Sequence, residues 1–316
     1  MEPSNQTHFE YFILIGFSWN LEISILLFVI TLIIYMLTIQ GNCLLIFTII
    51  ASPKLHTPMY YFLCYLSFLD LCYSSTFIPK LLTDIFSKRR RILIIGCLTQ
   101  MTVGLFLASS ECILLAVMAY DRYIAICFPL YYTVIMSWRV CRNSTIIISI
   151  GCFILSIFTP SVRPLILCKR NTLNHYFCEA LALIEVACGD TSFTKVAMLL
   201  SSAFTVLAPL AFILISYICI VISILKIRTV GGRSKAFSTC ASHITVVLMF
   251  YVTIIIVYMG QSKNLSSYMK YISLVYVAIT PLINPLIYSL RNNEVKEAFR
   301  RNMAAISQTK RRFRSS

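Results

Sequence analysis

The stretch ISILLFVITLIIYMLTIQGNCLLIFTIIASP, residues 23–53, runs from Glu22 to Lys54 without a charged side chain. A helix crossing the hydrocarbon core of a bilayer needs about 20 mostly apolar residues, and this run exceeds that. It has neither the alternation of a half-buried strand nor the single apolar stripe of a surface helix. It reads as a membrane-spanning helix, and that reading decides the fold because the pattern recurs. Charged residues fence further apolar runs: Lys54 to Lys80, Arg91 to Asp121, Arg142 to Arg163, Lys195 to Lys226, Lys235 to Lys263 and Lys270 to Arg291. The expected fold is an all-α membrane protein, a seven-transmembrane helix bundle with a short amphipathic helix after the seventh span.

Composition agrees. Of 316 residues, 59% are hydrophobic and 12% charged, against about 25% charged in a soluble domain. The net charge of +15 therefore belongs to loops and tail beside the membrane. The sequence FSKRRRILIIGC, residues 86–97, matches a nuclear or nucleic-acid patch by pattern alone. On a chain held in the membrane no nucleic-acid partner is expected. No basic start followed by a short apolar segment and cleavage site opens the chain, so the first span is expected to act as its own insertion signal.

Orientation rests on the two ends of the chain. With the N-terminus outside, most Lys and Arg fall on the inner side, but the tail carries that bias and the Lys88–Arg91 cluster opposes it. The first span has no basic residue before it and Lys54 just after it, which favours an outer N-terminus. Asn5-Gln6-Thr7 is a glycosylation sequon, meaningful only on that side. The expected division is 1–22 extracellular, 23–290 helix bundle and 291–316 cytoplasmic tail. Most of the 13 cysteines lie singly in spans, where they act as small apolar residues. Cys97, Cys168, Cys178 and Cys188 instead fall on one outer face, so disulfides are expected in an oxidising compartment, with three pairings open.

Several motifs occupy the span boundaries. LHTPMYYFL (55–63) opens the second span and MAYDRYIAIC (118–127) closes the third. Ser216-Tyr217 falls late in the fifth, KAFSTCASH (235–243) begins the sixth and PLINPLIY (281–288) ends the seventh. In this order and at these depths they closely resemble the olfactory receptor branch of the rhodopsin-like G-protein-coupled receptors, in its tetrapod-type class. The resemblance runs from Gly41-Asn42 to the YSLRN after the seventh span and makes 1–316 a single receptor domain. Departures are Val252, where a glycine is common in the family, and the lack of any cysteine after Cys240, which removes a palmitoylated tail.

The resemblance implies roles. It pairs Cys97 with Cys178 and Cys168 with Cys188. It places a small-molecule odorant between spans three, five and six, against Gly104, Leu105, Ala108, Ser109, Ser202, Thr205, Ile254, Tyr258 and Val277. It makes Asp121, Arg122, Tyr123, Tyr217, Tyr251, Asn284, Pro285 and Tyr288 the activation switch. Asn42, Asp70, Glu111 and Asn284 become a polar network that could hold a sodium ion near Asp70 and Glu111. Charge buried at mid-membrane is expensive and generally functional, although one carboxyl could simply be protonated and hydrogen-bonded. The partner it implies is an olfactory-type stimulatory G protein that raises cAMP, at the plasma membrane.

Absences narrow the ligand. The outer half of the third span has no acid and spans five to seven have no deep Lys or Arg, so neither an amine nor a carboxylic acid is expected. After the seventh span, Val295, Ala298 and Phe299 share one face and Lys296, Arg300 and Arg301 lie on others, suiting a helix lying on membrane lipid. Rival classes lack support. A transporter should show repeats and broken helices, and none is visible. An enzyme should show a metal or nucleophile–base pattern, yet His8, His56, His175 and His243 are scattered. A receptor for a peptide or lipid is the closer rival; KAFSTCASH and the short third inner loop favour the olfactory branch.

Overall fold

The computed structural model describes residues 10–17, 20–161, 166–167, 170–227, 229–259 and 266–315. Seven long helices form the bundle: α1 (Leu21–Ile50), α2 (Pro58–Ile85), α3 (Ile94–Cys127), α4 (Trp138–Ser161), α5 (Ser192–Leu225), α6 (Val230–Met259) and α7 (Ser266–Arg291). All but α6 are apolar enough along a long stretch to cross a membrane, and α6 carries a shorter apolar segment, Cys240–Ile256. An eighth helix, α8 (Asn293–Ser315), follows, longer than the short one expected from sequence.

Proline sets several boundaries. Pro58 occupies the first turn of α2, where a missing N–H costs nothing. Phe128, just before Pro129, ends α3, because the residue before proline is pushed out of helical geometry. In α5 a π-helical turn, Ala203–Leu207, sits immediately ahead of Pro209. Pro209 cannot donate to the carbonyl four residues back, and the widened turn accommodates that loss.

The bundle is apolar outside as well as inside. Only 11% of the α1 span is buried, against 56% for both α2 and α3, so α1 is peripheral and α2 and α3 are central. Ile33, Met36, Phe47, Ile147 and Leu200 are exposed where lipid tails would lie. Buried Asn42, Asp70, Glu111, Asp121 and Asn284 turn inward, as the cost of placing such groups in lipid requires.

At the end of the bundle that carries the N-terminus, short strands build a cap. β1 (Tyr11–Leu14) pairs antiparallel with β2 (Arg91–Leu93) and parallel with β4 (Thr172–Leu173), while β3 (Ile166–Leu167) pairs with β5 (Ala187–Cys188). The basic cluster has a structural use here. Arg90 Nη1 donates to the carbonyls of Ile15 and Phe17 at 2.6 and 2.8 Å, and the Arg91 guanidinium lies 4.2 Å from the Tyr11 ring centroid. Gly16 adopts φ +57°, a left-handed conformation open to glycine, and turns the strap toward the bundle. A disulfide joins Cys97 to Cys178. Cys188 is also disulfide-bonded; Cys168, like the sequon residue Asn5, lies outside the described residues.

Candidate functional site

Three arrangements lie along the bundle axis. Near the capped end, α3, α4, α5 and α6 line a partly open cavity of about 60 Å³, several times the ~10–15 Å³ that one water needs. Leu105, Ala108, Ser109, Ser202, Thr205 and Ile254 all line it. Gly104 does not: it faces α2, where a Cβ would fall 2.6 Å from Phe77 Cζ. Val277 is fully buried in the main apolar core and is not on the cavity wall. Tyr258 lies in α6, but its side chain is outside the described residues.

The cavity also uses residues that the sequence reading missed. Cys112, Met198, Ser201 and Val206 are on its wall, as are Leu155 and Ser156 of α4. Helical spacing could have found the first group: Cys112 is four residues from Ala108, and Met198 and Ser201 are four from Ser202 and Thr205 respectively. Nothing in the sequence of α4 marks Leu155 or Ser156. Two of the hydroxyls are committed to their own helices, Thr205 Oγ1 donating to Ser201 O at 2.8 Å and Ser156 Oγ to Phe153 O at 2.8 Å. Among the described residues the wall contains apolar groups, hydroxyls and a thiol, and no charged side chain.

Deeper, the amide of Asn284 bridges two buried carboxyls. Its Nδ2 lies 3.1 Å from each Asp70 oxygen and 3.5 Å from Glu111 Oε1. Three helices therefore meet at one side chain. Asn42 joins this region differently, through Nδ2 to Pro281 O at 2.9 Å and to Thr38 O at 3.0 Å, with Oδ1 buried and unpartnered. Gly41 beside it leaves room for the Pro285 ring, whose Cγ would be 3.3 Å from an added Cβ. Tyr251, on α6, reaches Cys112 O from its hydroxyl at 3.4 Å.

The far end of the bundle holds the charged switch residues. Arg122 donates to Asp121 Oδ2 through Nε at 3.0 Å and through Nη2. Tyr132, just beyond α3, donates to Asp121 Oδ1 at 2.8 Å. Burial and the adjacent carboxylate push the Tyr132 phenol well above its ordinary pKa, so it stays a donor. Tyr217 Oη is 2.6 Å from His243 Nδ1, Tyr123 packs against Phe128 at 5.6 Å, and the Tyr288 hydroxyl is buried without a hydrogen bond. The start of α8 is fastened to α2: Tyr60 Oη donates to Glu294 at 2.7 Å and accepts from Asn292 at 2.8 Å. Val295 and Ala298 are buried against the bundle, with Arg300 and Arg301 exposed.

A seven-helix bundle with a neutral cavity toward one end, a buried carboxyl cluster in the middle and an arginine–aspartate pair at the other end is the architecture of a helical membrane receptor. The family model for olfactory receptors matches residues 31–305. The chain is 44% identical to human olfactory receptor 13C9 over 94% of its length and 96% of that receptor's. It is 45% identical to human olfactory receptor 5G3 and 44% to mouse olfactory receptor 5G29, each over 96% of this chain and 97% of the relative. The chain belongs to the olfactory receptor family. It is a multi-pass membrane protein and an odorant receptor of the G-protein-coupled class, and not an enzyme.

Proposed function

We propose that this receptor binds a small, neutral, volatile organic molecule carrying a carbonyl or hydroxyl group in the cavity between α3, α4, α5 and α6. The observation that carries this reading is the cavity wall, in which hydroxyls from α3, α4 and α5 face apolar side chains with no charge among the described residues. Such a wall orients one polar atom and buries the rest of the ligand, whereas an ionic ligand would leave its charge uncompensated. Tyr258 remains a candidate contact in the sixth helix.

In this reading the capped end faces outward with Asn5 glycosylated, the Arg122 end faces the cytoplasm, and the receptor sits in the plasma membrane. The Arg122–Asp121 pair, steadied by Tyr132, corresponds to the resting arrangement. A ligand favours signalling only by binding the other arrangement better. Arg122 then leaves Asp121 for the G protein, Tyr217 leaves His243, and Tyr288 and Asn284 rearrange about Pro285. The oxygens of Asp70 and Glu111, with the unpartnered Oδ1 of Asn42, are the donor type that a sodium ion takes, and the ion would hold the resting network together. The G protein is of the olfactory stimulatory type and the output is cAMP.

A panel of neutral ketones, aldehydes, esters and alcohols, with amines and carboxylates of matched size, tests the ligand reading in cells carrying the stimulatory G protein. Neutral oxygenates should raise cAMP, and Arg122→Ala should abolish the response at equal surface expression. Responses confined to amines or carboxylates would overturn it.

A further inference from the structure

The strap ahead of α1 is connected to the sixth helix by an unbroken run of aromatic contacts. Phe17, buried at the strap's end, stacks on Tyr176 at 5.4 Å; Tyr176 meets Phe177 at 4.9 Å, and Phe177 meets Phe77 of α2 at 4.6 Å. From there Phe77 meets Tyr73 at 5.0 Å, Tyr73 meets Tyr276 of α7 at 5.3 Å, and Tyr276 meets Phe250 of α6 at 5.8 Å. Phe250 is one turn from Ile254, which is on the ligand cavity wall. The run follows α2 and α7, across α3 from that cavity.

The column is held by specific means at its outer end and at its middle. At the outer end, Arg90 holds the carbonyls of Ile15 and Phe17, and Lys270 Nζ donates to Gly16 O at 2.8 Å. Midway, Gly104 leaves the space that the Phe77 ring fills, since any Cβ there would sit 2.6 Å from Cζ. Aromatic side chains so closely packed shift together rather than singly, because a dense interior has little room for independent adjustment.

We infer that this column is a positioning device for the sixth helix, by which a seated strap holds Phe250, and with it Ile254, in the resting arrangement. Phe77 is its central member and Gly104 its necessary neighbour. Loosening the strap or displacing Phe77 frees α6 and raises ligand-independent signalling. The inference rests on taking the Arg122–Asp121 pair as the resting state, but its exchange readout does not depend on signalling.

The test uses the full-length receptor in lipid nanodiscs and in cells. Backbone hydrogen exchange is followed at Ile13–Gly16 and at residues 248–256, together with basal G-protein activation per surface receptor. Arg90→Ala and Gly104→Ala should each accelerate exchange at both places and raise basal activation about threefold or more. In the Phe77→Leu background, where the ring is gone, adding Gly104→Ala should change either readout by less than about twofold. Faster exchange at the strap with no change at 248–256 in Arg90→Ala would overturn the inference, as would equal effects of Gly104→Ala with and without the Phe77 ring. If Gly104→Ala does not reach the surface, the Arg90→Ala result decides alone. A basal change without an exchange change at 248–256 would reject the column, whereas faster exchange at both places with unchanged basal activation would keep the column and fault the resting-state assignment.

Discussion

The side-chain amide of Asn42 on α1 donates to the main-chain carbonyl of Pro281 on α7 across 2.9 Å. In an uninterrupted helix that carbonyl would accept from the N–H of residue 285, but residue 285 is proline and has none. Asn42 supplies the missing donor from the neighbouring helix, and Gly41 lets the Pro285 ring come close enough. The seventh-helix proline is thus tolerated because the first helix completes its hydrogen bonding, as is required where no water is present.

Replacing Asn42 with Leu should leave the Pro281 carbonyl without a partner and cost about 1–3 kcal/mol. The expected outcome is a lower thermal midpoint of the purified receptor in nanodiscs, by several degrees. Gly41→Val should add to the loss by pushing α1 from α7. An unchanged midpoint for Asn42→Leu would show that the carbonyl finds another donor.

Tyr132→Phe removes one hydrogen bond to Asp121 and leaves the Arg122 contacts in place. A bond to a charged acceptor contributes about 1.5–3 kcal/mol at most, so basal G-protein activation per receptor should rise severalfold while surface expression is retained. Basal activation equal to the parent's would remove Tyr132 from the resting arrangement.

Ala108→Phe places a large ring in the cavity of about 60 Å³ and should abolish the response to any ligand found by the odorant panel. Ser109→Ala should leave surface expression intact and weaken a carbonyl ligand by about three- to tenfold, the worth of one hydrogen bond. Dose–response curves on both variants, normalised to surface receptor, provide the check. An unaltered response in Ala108→Phe would move the ligand elsewhere.

His175, in the loop above the bundle, is buried, stacks on Tyr176 at 4.9 Å and meets Phe177 edge-on at 4.2 Å. Burial, helped by the Lys270 charge, lowers its pKa from 6.5 to about 3. A histidine held neutral in the folded state contributes stability fully above its unfolded pKa. That contribution is lost as pH falls from about 6.5 toward 3, because the unfolded chain takes up the proton first. Thermal midpoints should therefore decline between pH 7 and pH 4.5, by the equivalent of about 1–3 kcal/mol. His175→Phe should flatten that part of the profile, and an equal decline in the variant would assign it to other groups.

Much of the architecture can be read along the chain. Charge-free runs such as residues 23–53 are long enough to leave no alternative to spanning helices, and the motifs DRY, KAFSTCASH and NPLIY lie at the depths where the described contacts occur. Leu105, Ala108 and Ser109 could be proposed as a set because the resemblance to the receptor family implies them, and helical spacing, which puts them on one side of α3, agrees. Gly104, one residue earlier, could not be separated from them by type. Its neighbour is Phe77 of α2, and which helix an α3 face meets is a matter of crossing angle and rotation.

The same limit governs the basic cluster. In sequence, Lys88–Arg91 opposes the charge bias of the other loops, and nothing local explains it. Its explanation is a contact with residues 11–17, far off along the chain, whose carbonyls Arg90 satisfies. The set of helices, their order, the residue types available to each and the family to which they belong are all legible along the chain. Those follow from local hydrophobicity and short motifs, which need no partner to be legible. Which faces meet is fixed by packing alone: Asn42 with the carbonyl that Pro285 abandons, Gly104 with Phe77 rather than with the cavity, Leu155 and Ser156 on the cavity wall, and the strap on Arg90. Each depends on distance between residues remote in sequence, and that distance is set by how the helices pack.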